Sequence, residues 1–230
     1  MPLEPSQYCK VMCLTQDRLA AGPTEQAERL CSSGARWIQL RMKGAPHEAW
    51  LRTARAVVAV CRAHGAVCIV NDSLEVALES GADGVHLGRD DGDWEEARRR
   101  AGRRLLIGGT VNDSSDARRA VAADCLDYAG VGPLRHTATK AKLAPVLGFS
   151  GVRELIRELG GIPAWVIGGV QSEDAPGLLA AGAAGIAVSS ALYRNGRVED
   201  NILAFLAACA SVTHSPFPAG APPITRFGQS

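Results

Sequence analysis

At 230 residues with 47% hydrophobic but only 5% aromatic content, the chain can bury a large core of small aliphatic side chains, which excludes disorder over most of its length. Lys plus Arg total 25 against 24 Asp plus Glu, a formal charge of +1, so no global field draws nucleic acid or an anionic membrane and any anionic ligand must be held locally. The odd count of seven cysteines without a Cys-x-x-Cys pair, an N-terminus lacking a basic and then apolar leader, and the lack of a membrane-length apolar run together set the expectation of a reduced, cytoplasmic protein.

Short β-rich runs alternate with amphipathic helical patterns eight times. In chain order the predicted strands are Lys10–Thr15, Trp37–Arg41, Val67–Asn71, Gly84–Leu87, Leu105–Gly108, Tyr128–Gly130, Ala164–Ile167 and Gly185–Val188. Most are apolar except at their C-terminal ends, which suits parallel strands buried on both faces. The helical patterns cover Glu25–Ser33, His47–His64, Ser73–Ser80, Trp94–Ala101, Ser114–Ala122, Val152–Leu159, Ser172–Ala180 and Val198–Ala210. Gly34, Gly65, Gly81, Gly102, Gly160 and Gly182 stand where helices should stop, and Pro23 and Ser172 where they should begin. Eight right-handed βαβ units predict an α/β fold closing as one (β/α)8 TIM barrel over residues 1–211. The first strand is followed by LTQDR and not by a GxGxxG fingerprint, which argues against an open dinucleotide-binding sheet. Residues 212–230 are Pro-rich and are expected to form a flexible or surface-draped tail.

In such a barrel the C-terminal strand ends line the active site. Gln39, Arg41 and Lys43 alternate along the second strand end and so form one row of two cations and an amide, although Arg41 and Lys43 could equally solvate a loop start. Asn71-Asp72 ends the third strand, and His86-Leu87-Gly88-Arg89-Asp90-Asp91 runs off the fourth. Two carboxylates at neighbouring strand ends, with ligand phosphates, suit Mg²⁺. Taken singly, Asp72 could be an N-cap and Asp91 an ordinary loop carboxylate. The segment Gly130–Lys140 is too long and hydroxyl-rich for a minimal turn, and Thr137, Thr139 and Lys140 could donate to an anion. Gly168-Gly169 and Ser189-Ser190 follow the seventh and eighth strands, the usual phosphate site of this fold. Two anionic sites at one mouth imply two phosphorylated molecules or one bisphosphate.

The segments IQLRMK, VNDSLEVALESGADGVHLGRDD, YAGVGPLRHTATK, WVIGGV and AAGIAVSSAL, in this order and spacing, resemble the thiamine-phosphate synthase family over roughly residues 10 to 207. The resemblance implies a transferase of thiamine biosynthesis that joins a pyrimidine diphosphate to a thiazole phosphate with loss of pyrophosphate. It further implies that Gln39, Arg41, Lys43, Asn71, Thr110 and Lys140 hold the pyrimidine diphosphate, with Arg41, Lys43 and Lys140 acting in catalysis. Asp72 and Asp91 would bind Mg²⁺, and Thr137, Thr139, Gly168, Gly169, Ser189 and Ser190 would hold the thiazole phosphate. A homo-oligomer is left open.

Three positions depart from the family's usual pattern. Arg89 stands where Gln is common and could reach pyrophosphate or pair with Asp90; Thr110 replaces Ser and keeps the hydroxyl; Leu134-Arg135-His136 replaces a more apolar stretch. His136 also raises the related thiazole tautomerase branch, which is thought to move a proton with a histidine in this region. A non-catalytic phosphate-binding barrel is the third reading. A tautomerase has no use for two metal carboxylates, so Asp72 and Asp91 favour the synthase.

Overall fold

A computed structural model describes residues 2–3, 9–136, 145–211 and 224–225. Eight parallel strands close a barrel in sequential order: β1 (Val11–Leu14), β2 (Trp37–Leu40), β3 (Val67–Asn71), β4 (Gly84–Leu87), β5 (Leu106–Val111), β6 (Tyr128–Val131), β7 (Ala164–Ile167) and β8 (Gly185–Val188). β8 returns to β1 with Ile186 opposite Val11 and Val188 opposite Cys13, which leaves the barrel no open edge. The helices α1 (Pro23–Ser32), α2 (His47–Ala63), α3 (Leu74–Ser80), α4 (Trp94–Ala101), α5 (Ser114–Ala123), α6 (Gly148–Glu158), α7 (Ala175–Ala180) and α8 (Val198–Ala210) alternate with the strands. Outside the barrel, Pro2–Leu3 pairs antiparallel with Ile224–Thr225.

All eight strands and all eight helices fall where periodicity placed them, and the six glycines expected to end helices all take positive φ. Three boundaries moved by more than two residues. β5 runs on through Gly109, Thr110 and Val111, because β4 pairs with it as far as Gly109 and β6 as far as Val111, where Gly108-Gly109 erases the side-chain signal. α6 starts at Gly148 and not at Val152. The Ser172–Ala180 pattern opens with a 3-10 turn at Ser172–Asp174 before α7, whose Pro176 has no N–H to continue an upstream ladder.

The alternation of β side chains divides the interior into two layers. One lies between strands and helices and is aliphatic and Cys-rich, with Val11, Cys13, Ile38, Leu40, Val85 and Ile107 at its centre. The other fills the lumen and is aromatic: Trp37, Tyr128 and Trp165 meet with ring centroids 4.8 to 5.7 Å apart, in one cluster with Met12, Val67 and Ile69. Glycines on neighbouring strands make the room. A Cβ on Gly108 would stand 2.1 Å from Tyr128 Cζ, and one on Gly185 2.4 Å from Trp165 Nε1. The plug closes the lumen below the mouth and gives the residues above it a rigid floor. No helix among the described residues is long and apolar enough to cross a membrane.

Candidate active site

Counting in twos from the plug locates the site. Trp37 leads to Gln39 and Arg41, Ile69 to Asn71, Leu106 to Gly108 and Thr110, and Ala187 to Ser189, so these residues continue the inward rows of their strands toward the mouth. Gln39 is buried and reaches Met12 Sδ at 3.3 Å and the Tyr128 hydroxyl. His86, inward on β4, links the floor to the mouth: one ring nitrogen lies 3.2 Å from the Tyr128 hydroxyl and the other 3.0 Å from Thr110 Oγ1. Burial pushes the Tyr128 phenol well above its ordinary range, so it stays protonated within this chain of polar groups.

Arg41 and Lys43 lie beyond the end of β2, where Asp17 organises them. Asp17 Oδ2 accepts from the Lys43 backbone N–H at 3.1 Å and from Arg41 Nη1 at 3.3 Å, while Thr15 Oγ1 accepts from the Arg41 N–H at 3.0 Å. Lys43 Nζ then reaches Asp72 Oδ2 at 3.1 Å. Composition gave no reason to single out Asp17; its place two residues after Thr15 at a strand end was the only signal.

Asp72 has φ 70 and does not cap α3; Ser73 does so by accepting from the Val76 N–H. Freed from capping, the Asp72 carboxyl hydrogen-bonds with Asp91, which accepts from the Gly88 N–H at 2.8 Å. Burial first, then the hydrogen bond and charge of Asp91, push Asp72 up to about 6, against the pull of Lys43. Two carboxyls this close share a proton or a cation, and an all-oxygen pair suits a hard divalent ion. Gly88 permits the turn, since a Cβ there would meet Asp91 Oδ2 at 2.6 Å. Among the described residues no group of three or more metal-ligating side chains occurs, so such an ion would need ligand oxygens or waters.

Across the mouth, β7 pairs with β8 in a register that sets Ile167 opposite Ala187, bringing Gly168-Gly169 beside Ser189-Ser190. Gly168 has φ 93, and a Cβ on it would lie 2.6 Å from Pro133 Cβ, so only glycine fits. Ser189 Oγ is buried with no hydrogen-bond partner among the described residues, while Ser190 is exposed and opens a short 3-10 segment, Ser190–Gly196. Arg135 binds both Asp174 carboxylate oxygens and the Gly169 carbonyl, fastening the start of the β6–α6 connection onto this turn. His136 is solvent-exposed. Thr137, Thr139 and Lys140 lie outside the described residues.

Arg89 pairs with Asp116 and Asp113 and not with Asp90. Its guanidinium turns outward to Asp116, with Nη2 at 2.7 Å and Nε at 3.2 Å, and to Asp113 at 2.9 Å. The N-terminus of α5 gathers these carboxylates, because Asp113 is its N-cap and Asp116 accepts from the Asn112 N–H.

The fold superposes on that of 3-hexulose-6-phosphate synthase with a TM-score of 0.62 at 18% identity, over 86% of this chain and 99% of the other. A much closer match is the thiamine phosphate pyrophosphorylase from Pyrococcus furiosus, with a TM-score of 0.82 and 29% identity over 92% of this chain and 100% of that one. The thiamine-phosphate synthase of Bacteroides fragilis is 40% identical over 174 residues, 74% of this chain and 85% of the relative. That of Methanocella arvoryzae is 41% identical over 181 residues, covering 78% and 84% respectively. The family model described as thiamine monophosphate synthase matches residues 11–192, which include both carboxylates, both basic strand-end residues and the Gly-Gly and Ser-Ser turns. With that match and relatives above 30% identity over most of its length, the chain belongs to the thiamine monophosphate synthase family.

Proposed function

We propose that this protein condenses 4-amino-2-methyl-5-hydroxymethylpyrimidine diphosphate with a thiazole phosphate, giving thiamine phosphate and pyrophosphate in the cytoplasm. The observation that carries the reading is the pairing of a cation-linked Asp72–Asp91 couple on one side of the mouth with a glycine and serine cradle on the other. Asp72 and Asp91 would hold Mg²⁺, which when bound supplies positive charge to the diphosphate oxygens. Arg41, Lys43 and Lys140 would share that work, with Asp17 holding the first two in place.

Gln39, Asn71 and Thr110 would orient the pyrimidine above the aromatic floor. The C–O bond to the diphosphate breaks with its electron pair leaving on pyrophosphate, and the thiazole nitrogen lone pair forms the new bond to the pyrimidine methylene. No protein nucleophile is consumed. The chain's own contribution is to stabilise the departing charge and, with the lumen closed from below, to keep water away from the cationic pyrimidine methylene that the departure leaves. Gly168, Gly169, Ser189, Ser190, Thr137 and Thr139 would hold the thiazole phosphate, with the Ser189 hydroxyl, unpartnered among the described residues, available as a donor.

The test is turnover by purified protein with both substrates and Mg²⁺, following pyrophosphate and thiamine phosphate while each component is omitted in turn. Stoichiometric release of both products only in the complete mixture is expected. Binding of both substrates without coupling would refute the synthase and leave the tautomerase or the regulatory barrel.

A further inference from the structure

The loop between β4 and α4 carries Asp91 and is fastened to α5 at both ends. Before Asp91, the Arg89 guanidinium forms a two-pronged pair with Asp116, whose side chain is only 8% exposed, and a further bond to Asp113. After it, Arg119 of α5 lies 3.8 Å from Asp93 and 4.2 Å above the Trp94 ring, and Asp93 caps α4. Between these anchors the turn closes on itself, with the Asp91 carboxylate on the Gly88 N–H and the Asp91 N–H on the Gly88 carbonyl.

The fastening matters because a definite force acts on this loop. Asp72 and Asp91 carry like charge when ionised, and repulsion between them would push the β4–α4 loop away from β3, which has no comparable freedom inside the barrel. Arg89 ties the loop to α5, on the side of β4 away from β3, so the loop is fixed in place and not free to give, and it does so without touching the carboxylates, because Asp113 and Asp116 absorb its charge. We infer that Arg89 is a positioning residue that holds Asp91 in register with Asp72 through Asp116 and Asp113, and so sets the affinity of the carboxylate pair for a divalent cation. This rests on the metal reading proposed above. Partners that orient a metal ligand are typically worth about 10- to 100-fold in metal affinity.

The experiment is calorimetric titration of Mg²⁺, in the presence of saturating inorganic pyrophosphate, into wild type, Arg89→Ala, Arg89→Lys and Asp127→Asn. Asp127 ties Arg98 and the Ile107 N–H at the opposite end of the barrel, so its variant controls for lost stability alone. Arg89→Ala should weaken Mg²⁺ binding about 10-fold, Arg89→Lys should recover part of the loss, and Asp127→Asn should lower Tm with affinity unchanged. At saturating Mg²⁺, kcat of Arg89→Ala should stay within about 3-fold of wild type, as for a residue that acts only through the position of Asp91. Unchanged affinity in folded Arg89→Ala, or an equal loss in Asp127→Asn, would overturn the inference. Absence of Mg²⁺ binding by wild type would instead remove the metal reading beneath it, and the inference with it.

Discussion

Replacing Asp91 by Asn should stabilise the metal-free protein, with a pH dependence set by Asp72. The folded Asp72 carboxyl titrates near 6 against an ordinary value of 3.8. A raised folded pKa means that its contribution to stability is fully present below about pH 4 and is lost as pH rises through 6. The shift of roughly two units corresponds to about 3 kcal/mol. Burial is its largest cause and Asp91 the next, so removing the Asp91 charge should return about 1 kcal/mol. For a chain of this size that is about 2–4 °C in Tm. The Asn side-chain oxygen can still accept from the Gly88 N–H, so the turn survives. Thermal melts in EDTA at pH 4 and pH 8 should therefore show no gain for Asp91→Asn at the lower pH and the full gain at the higher. A gain of equal size at both pH values, or a loss at pH 8, would refute the electrostatic account of the pair.

Asp174→Asn tests the other side of the mouth. Burial alone would raise the Asp174 carboxyl, but the Arg135 bond and the Gln171 N–H outweigh it and hold it below its ordinary value, so wild type should lose this stabilisation as pH falls below about 4. The variant should be weaker by about 1–3 kcal/mol at pH 7 with a flatter acid limb in urea titrations. Gly108→Ala should cost about 1–3 kcal/mol or more, because its Cβ would meet the Tyr128 ring at 2.1 Å; a denaturation midpoint equal to wild type would show that the lumen repacks freely.

The barrel was legible because most strands are short, largely apolar runs and six of the eight helices stop at a glycine, so local propensity and global topology agree. The strand ends were legible as a set of polar residues, since parity along a strand decides which ones face inward. What sequence could not supply was partnership. Arg89 offers a cation to any acid in reach, and Asp90 is adjacent in sequence while Asp116 is 27 residues away; the folded α5 terminus makes the distant acid the nearer one. Asp17 was missed for the same reason, as its value lies in facing Arg41 across two strands. The capping of α3 by Ser73 and not Asp72 depended on a backbone angle, φ 70, that residue identity alone does not fix.

The aromatic plug carries a consequence for how this lumen can change over time. Tyr128 and Trp165 each occupy space vacated by a glycine on a neighbouring strand, so ring and gap form matched halves contributed by distant parts of the chain. Enlarging the glycine first creates a collision, and shrinking the ring first opens a void costing about 3–5 kcal/mol. Either single step crosses a barrier comparable to much of a domain's stability. Exchange at Gly108 and Tyr128, or at Gly185 and Trp165, therefore has to occur as a pair, whereas the exposed outer faces of the helices can drift one residue at a time.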